Sequence, residues 1–340
     1  MSEKATCLVT GATGFVGGHL AERLVREGYR VRCLVRETSD RSRLEALDVE
    51  LTDGDLTDAR SVIAAAEGCR FVFHCGALVS DWATIEEIER VNVAGTRNVL
   101  VAAAATNVER SVHVSTTDVY GYPGRRGIDE RYVPAGFSNW YSQTKRAAEA
   151  EVRRVERERG LNVVILRPAT VYGPRSDDVV GDMARAIRGR QMLLVDGGRA
   201  VAGLLYVENL VDAALLALQG NAPLGEAFNL TDGLDITWKR FLGDLAGGLG
   251  YPEPRLSLPY PVAFSTAFAL EHGYRLARRA ARVKTRPLLS RQAVHVLGRD
   301  QDFSNRKARE TLRWTPRVSY QDGLAATVKW LREEYLAPRV

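Results

Sequence analysis

Apolar runs rich in β-branched residues recur along the first half of the chain, at 5–10, 31–35, 49–51, 71–75, 111–115 and 163–166. Bounded by Gly, Asp or Pro, such runs predict strands. Between them, segments 15–27, 58–66, 85–105 and 142–159 carry apolar residues at helical spacing. Strand and helix in alternation predict βαβ units and a parallel sheet covered on both faces. Right-handed crossovers then give a doubly wound α/β architecture. After about residue 170 the rhythm changes to Gly- and Pro-containing loops, helices and the short strands 204–207 and 227–230. This predicts a sheet domain over 1–170 and a smaller C-terminal α+β substrate lobe over 171–340, some segments of which return to the sheet. A cleft between the two parts is the expected binding site.

With 45% hydrophobic residues in 340, the chain can bury a large core. The 47 basic residues against 42 acidic ones are dispersed, so the net charge of +5 does not predict a nucleic-acid partner. Cys7, Cys33, Cys69 and Cys75 are not at metal-binding spacings. They read as buried thiols in a reducing, cytoplasmic setting, with no metal site expected. The first residues run straight into a strand, and no stretch of eighteen apolar residues occurs, so neither a signal segment nor a membrane span is expected.

The first predicted strand ends in Thr10-Gly11-Ala12-Thr13-Gly14-Phe15-Val16-Gly17, at the entry to a helix. Glycines there allow a tight turn, close approach of backbone to a pyrophosphate, and close packing of helix on strand. Gly11, Thr13, Gly14, Phe15, Val16 and Gly17 are therefore candidate dinucleotide contacts. An acidic residue after the second strand would accept from a ribose hydroxyl, but the chain has Arg36 there, with Ser39 and Arg41 close behind. A guanidinium suits a 2′-phosphate, which favours NADP, with NAD as the alternative. Asp55 and Leu56 follow the third strand, where a carboxylate can accept from an adenine amino group. Cys75, Gly76 and Ala77 follow the fourth, their small side chains leaving room for ribose and pyrophosphate.

Tyr141 stands four residues before Lys145, so both project from one helical face. Twelve tyrosines and six lysines in 340 residues give about 0.2 such pairs by chance, and one occurs. An ammonium and an oxidised nicotinamide beside the phenol are expected to lower its pKa from about 10. That makes it a proton donor or acceptor for hydride transfer at a carbonyl. At the end of the fifth strand, Thr116, with Ser115 as second choice, can donate to the same oxygen.

These segments, together with Asn92 in Val91-Asn92-Val93-Ala94-Gly95-Thr96 and the stretch Leu166-Arg167-Pro168-Ala169-Thr170-Val171-Tyr172-Gly173-Pro174, resemble the extended short-chain dehydrogenase/reductase superfamily. The resemblance spans almost the whole chain. It implies a Rossmann-type sheet, a catalytic set of Thr116, Tyr141 and Lys145, and further cofactor contacts at Asn92, Pro168, Ala169 and Val171. Family members acting on nucleotide sugars usually carry Asn at the position of Thr170, and Arg-Asp-Phe where this chain has Ala202-Gly203-Leu204; those polar anchors are missing. The tail around Tyr206-Val207-Glu208-Asn209 and Asp302-Phe303-Ser304-Asn305 resembles the 3β-hydroxysteroid dehydrogenase-like members. They imply NAD(P)-dependent interconversion of a secondary alcohol and a ketone on a steroid-, lipid- or polyketide-like substrate. The competing expectations are a nucleotide-sugar 4-epimerase with retained NAD and a non-catalytic dinucleotide-binding regulator.

Val79, Trp82, Tyr122 and Trp140 lie in loops at the strand ends and are candidate substrate contacts. The apolar stretch 258–270 precedes Arg275, Arg278, Arg279, Arg282, Lys284 and Arg286. It is expected to roof the pocket, with peripheral membrane contact through 258–286 as the alternative. A homodimer is the expected assembly.

Overall fold

The computed structural model describes residues 5–80, 83–134, 136, 139–218, 225–280 and 289–337, with backbone alone for 275–280. Six strands follow one another through the first half: β1 (Thr6–Thr10), β2 (Arg30–Val35), β3 (Val49–Asp53), β4 (Phe71–His74), β5 (Arg110–Val114) and β6 (Val163–Pro168). The short strands β7 (Thr170–Tyr172), β8 (Leu194–Val195) and β9 (Leu204–Tyr206) precede β10 (Ala227–Leu230) and β11 (Ser257–Leu258). One sheet holds β3-β2-β1-β4-β5-β6-β10 in that order, every neighbouring pair parallel. Strand order changes direction between β1 and β4, so the loops leaving their carboxyl ends border a common crevice. This is a doubly wound, Rossmann-type sheet.

Alternate residues of each strand feed two cores. Val9, Val31, Phe73 and Val112 pack with Leu20 and Leu24 of helix Phe15–Arg26 and with Leu210 and Val211 of helix Val207–Leu216. On the other face, Leu8, Val72 and Val163 meet Val62, Val99 and Val152 from helices Ala59–Ala66, Gly95–Ala105 and Trp140–Arg159. A third cluster, around Tyr172, Trp238 and Phe241, forms the smaller lobe, where β7 pairs with β9 and β8 with β11. From beyond residue 171, helix Val207–Leu216 and β10 rejoin the sheet.

Several boundaries depart from the sequence pattern. Segment 85–105 is interrupted: helix Ile85–Glu89, a wide π turn over Arg90–Ala94, then helix Gly95–Ala105. The helix carrying Tyr141 starts earlier than expected, at Trp140, because the Asn139 side chain accepts from the Ser142 amide at 2.7 Å. β4 and β5 stop at His74 and Val114, leaving Cys75 and Ser115 just beyond the strand ends. No helix among the described residues is long and apolar enough to cross a membrane.

Candidate active site

Gly11 has φ +72°, and a Cβ there would lie 2.6 Å from the Gly76 nitrogen. A Cβ on Gly17 would lie 2.2 Å from the Gly11 carbonyl oxygen. The turn after β1 is thus packed against the loop after β4 with no space for a side chain. Gly14 caps the helix without a side chain, so the first-turn amides around Phe15 and Val16 form a ready anion seat. A cavity lined by Thr13, Gly14, Gly18, Arg43, Arg175 and Asp177 opens beside this turn.

Arg36 follows β2 and is exposed, and its guanidinium makes no hydrogen bond or ion pair among the described residues. Arg41, expected to assist it, is committed elsewhere: its guanidinium donates to the Arg36 carbonyl at 3.0 Å and pairs with the Asp53 carboxylate. Ser39 donates its amide to the same carbonyl at 3.0 Å, closing the turn. Past β3, Asp55 accepts from the amide and hydroxyl of Thr57 at 2.8 and 2.7 Å. Burial raises its carboxyl, but those hydrogen bonds, with Arg36 and Arg90, outweigh burial and hold it below the usual range. Leu56 lies against the loop after β4, where a Cβ on Gly76 would meet its Cδ1 at 2.8 Å.

The chain beneath Cys75-Gly76-Ala77 is held by a hydrogen-bond series that the sequence did not signal. The Thr96 hydroxyl donates to the Asn92 carbonyl at 2.6 Å, so it accepts from His74 Nε2 at 2.9 Å. His74 Nδ1 in turn accepts from the Thr10 hydroxyl at 2.7 Å. Burial, and then the charge of Lys145, pull the imidazole down to about 3, keeping it neutral. Burial pushes the Cys75 thiol up to about 12. Within the π turn, Asn92 takes the Leu78 amide on its Oδ1 at 2.7 Å and donates to the Leu78 carbonyl at 3.1 Å. It therefore fixes the backbone that continues from Ala77. Pro168 and Ala169 lie at the end of β6, and Val171 in β7, at the same carboxyl edge.

Lys145 is buried, and its ammonium donates to the Val114 carbonyl at 2.8 Å, two residues before Thr116. Burial pulls it down to about 8, against the opposing effect of Glu149 and Cys75. The Tyr141 phenol departs from expectation. Burial, reinforced by Asp118, pushes it above its ordinary value, and Lys145 does not offset this. Protein groups alone therefore keep it protonated at neutral pH. Thr116 is extended and half-buried; its oxygen accepts from the Asp118 amide at 3.1 Å, starting the tight turn Thr117–Tyr120 and leaving its own O–H to donate. The Ser115 hydroxyl is turned to the helix that carries Tyr141, donating to Glu149 Oε1 at 2.7 Å.

Among the candidate substrate contacts, Val79 and Trp140 are exposed. Tyr122 instead stacks flat on His295 of the smaller lobe, ring centroids 5.2 Å apart. Trp82 lies outside the described residues. Helix Tyr260–Ala280 turns Ala263, Ala267 and Glu271 inward, packs Tyr260 and Phe264 against the smaller lobe beside His295, and leaves Val262, Phe268 and Leu270 exposed.

A family model described as the NAD dependent epimerase/dehydratase family matches residues 7–231. The chain belongs to that family. As an epimerase/dehydratase-family protein it is an enzyme of the extended short-chain dehydrogenase/reductase type. It is 33% identical over 94% of its length to a 4-hydroxy-2-methyl-3-oxo-4-farnesyl-3,4-dihydroquinoline-1-oxide ketoreductase of Stigmatella aurantiaca, covering 94% of that protein. A 2-alkyl-3-oxoalkanoate reductase of Stenotrophomonas maltophilia is 30% identical, with 93% of this chain and 96% of the relative covered. The crystal structure of gox2253 superimposes with a TM-score of 0.79 at 30% identity, covering 97% of this chain and 98% of the other. A UDP-glucose 4-epimerase from Thermotoga maritima, at 23% identity and TM-score 0.78 over 96% and 99% of the two chains, shares the fold. Where sugar-nucleotide members of the family carry polar anchors, Ala202 is fully buried and a Cβ on Gly203 would lie 2.2 Å from the Gln301 carbonyl oxygen. At Gly203 the backbone leaves no space for a side chain.

Proposed function

We propose that this chain uses NADP(H) to interconvert a secondary alcohol and a ketone on a hydrophobic substrate. One observation carries the reading: Tyr141 and Lys145 rise from one helix, and Lys145 is tied to the end of β5 beside Thr116. The tight turn that Gly11 and Gly17 permit, with the helix N-terminus at Gly14 free of a side-chain cap, fits a dinucleotide. The amides of the Gly14–Gly17 turn would hold its pyrophosphate, Arg36 a 2′-phosphate, Asp55 the adenine, and Tyr141 and Lys145 the nicotinamide ribose. Bound there, the nicotinamide supplies or accepts the hydride.

The chain's own groups handle the proton. A protonated, half-buried Tyr141 is set to donate to a carbonyl oxygen as charge develops on it. Thr116 donates to the same oxygen, and the Lys145 ammonium favours the phenolate left behind. This resting state suits reduction. The named relatives act on a farnesylated quinoline oxide and on 2-alkyl-3-oxoalkanoates, and the exposed Val79 and Trp140 beside the site suit apolar substrates of that kind. NADPH oxidation, followed at 340 nm with 2-alkyl-3-oxoalkanoates and 3-ketosteroids, tests the proposal. Tyr141→Phe is expected to lower kcat by about 100-fold or more while NADPH still binds. Undiminished turnover would remove Tyr141 from the mechanism.

The exposed Val262, Phe268 and Leu270 stand on the helix that leads into the basic run Arg275 to Arg286, of which 281–288 lie outside the described residues. An apolar face beside dense positive charge supports peripheral contact with an anionic lipid surface, from which an apolar substrate would be drawn.

A further inference from the structure

Glu149 lies one turn beyond Lys145 on the same helix and is 1% exposed. Arg167, at 6% exposure on β6, meets it in a two-pronged pair, Nε to Oε1 at 2.8 Å and Nη2 to Oε2 at 2.5 Å. Oε1 also accepts from Ser115, the residue next to Thr116. The third arm of Arg167 donates to the Tyr120 hydroxyl at 2.6 Å, at the end of the turn that Thr116 begins. Tyr120 passes the series on to Asn229 of β10 at 2.7 Å. One buried ion pair thus joins the catalytic helix, the end of β5, the Thr116 turn, β6 and β10.

Burying two charges is a costly way to hold a helix on a sheet, since well-packed apolar residues usually do as well or better. Its place beside the reacting groups suggests a different use. The groups acting on Lys145 or acted on by it are Glu149 on its own helix, Cys75 and His74 at the end of β4, and His113 on β5. Burial and the Lys145 charge keep both histidines neutral, and burial keeps the thiol neutral. Glu149 is therefore the one full negative charge acting on Lys145 among the described residues. Burial would raise the Glu149 carboxyl, but Arg167, Ser115 and Arg153 hold it below the usual range.

We infer that the Glu149–Arg167 pair is the positioning clamp of the catalytic set, coupling the seat of Thr116 to the ammonium of Lys145. The inference rests on the role given to Lys145 above, but its test reads the lysine itself rather than turnover. The chain has six lysines, so 13C-lysine-labelled protein gives few signals, and the one missing from Lys145→Met is Lys145. In the native protein that signal should titrate near 8. Glu149→Gln should lower the midpoint by about one pH unit or more, and Glu149→Asp should recover part of it. Glu149→Gln leaves Arg167 buried without its partner; if that variant does not fold, the double substitution Glu149→Gln with Arg167→Met removes both charges and should still lower the midpoint, by less than the single variant, because a cation is lost with the anion. Ser115→Ala, which leaves the charges in place, should hold the midpoint within about 0.3 unit, well inside a single charge effect.

An unmoved midpoint in the Gln variants overturns the inference. So does an equal shift in Ser115→Ala, which would mean packing alone, or failure of the double variant to fold, which would make the pair a requirement of the fold. None of these outcomes bears on the redox reading, which Tyr141→Phe tests.

Discussion

At the scale of the residue, the proposed use of NADP turns on one side chain. Arg36 has its guanidinium free at the end of β2, while Arg41 is spent on Asp53 and on the Arg36 carbonyl. A planar cation without an internal partner is well suited to a 2′-phosphate, and its removal costs little in the fold. Arg36→Ser is therefore expected to weaken NADPH about tenfold or more and leave NADH within about twofold, as read by isothermal titration. Arg41→Ala should change the ratio less. Tighter binding of NADH than NADPH by the native protein would defeat the assignment. The sequence makes Arg36 visible as a candidate because its place after a strand can be read locally. It hides the fates of Arg41 and Ser115, whose side chains answer to Asp53 and Glu149, 12 and 34 residues away.

At the scale of the element, the glycine turn and the strand–helix alternation are legible because each is local: φ > 0 at Gly11 and the unbroken burial of Cys7 to Thr10 along β1 are written in adjacent residues. The break at Asn92 is not legible. Apolar spacing runs through 85–105 without interruption, and the π turn depends on where Asn92 meets Leu78. Helix Tyr260–Ala280 shows the same limit. Its apolar composition suggests a buried element, yet small Ala263 and Ala267 face inward while Val262, Phe268 and Leu270 face out. If that face meets lipid, the protein should float with vesicles of phosphatidylcholine and phosphatidylglycerol, and less with phosphatidylcholine alone. The pair Phe268→Ser and Leu270→Ser should abolish flotation without lowering Tm by more than a few degrees. Equal recovery with both vesicle types, or none with either, would count against the contact.

At the scale of the whole molecule, the centre of the sheet is held together by imidazoles that the fold keeps neutral. His74 and His113 face each other across β4 and β5, ring centroids 5.2 Å apart, and burial pulls both down, His74 to about 3 and His113 well below its ordinary value. Unfolded, each would take up a proton near pH 6.5. Protons therefore favour the unfolded chain: stability is complete above about 6.5 and falls as pH drops toward the folded values, by about 1.4 kcal/mol per unit for each histidine. The paired carboxylates of Glu149, Glu22 and Glu208, all held low, add to this only below about 4.5, their own unfolded range. Urea midpoints between pH 7.5 and 5 should thus decline before these three carboxylates titrate, while Asp232, which burial raises to about 6, takes up a proton in the folded chain and offsets part of the loss. His113 isolates the effect, since neither ring nitrogen has a hydrogen-bond partner among the described residues. His113→Phe keeps a flat ring in place, removes one titrating group, and should hold or raise stability at pH 7.5 while making the decline below 6.5 shallower. A slope identical to the native one would mean that His113 charges freely within the folded sheet.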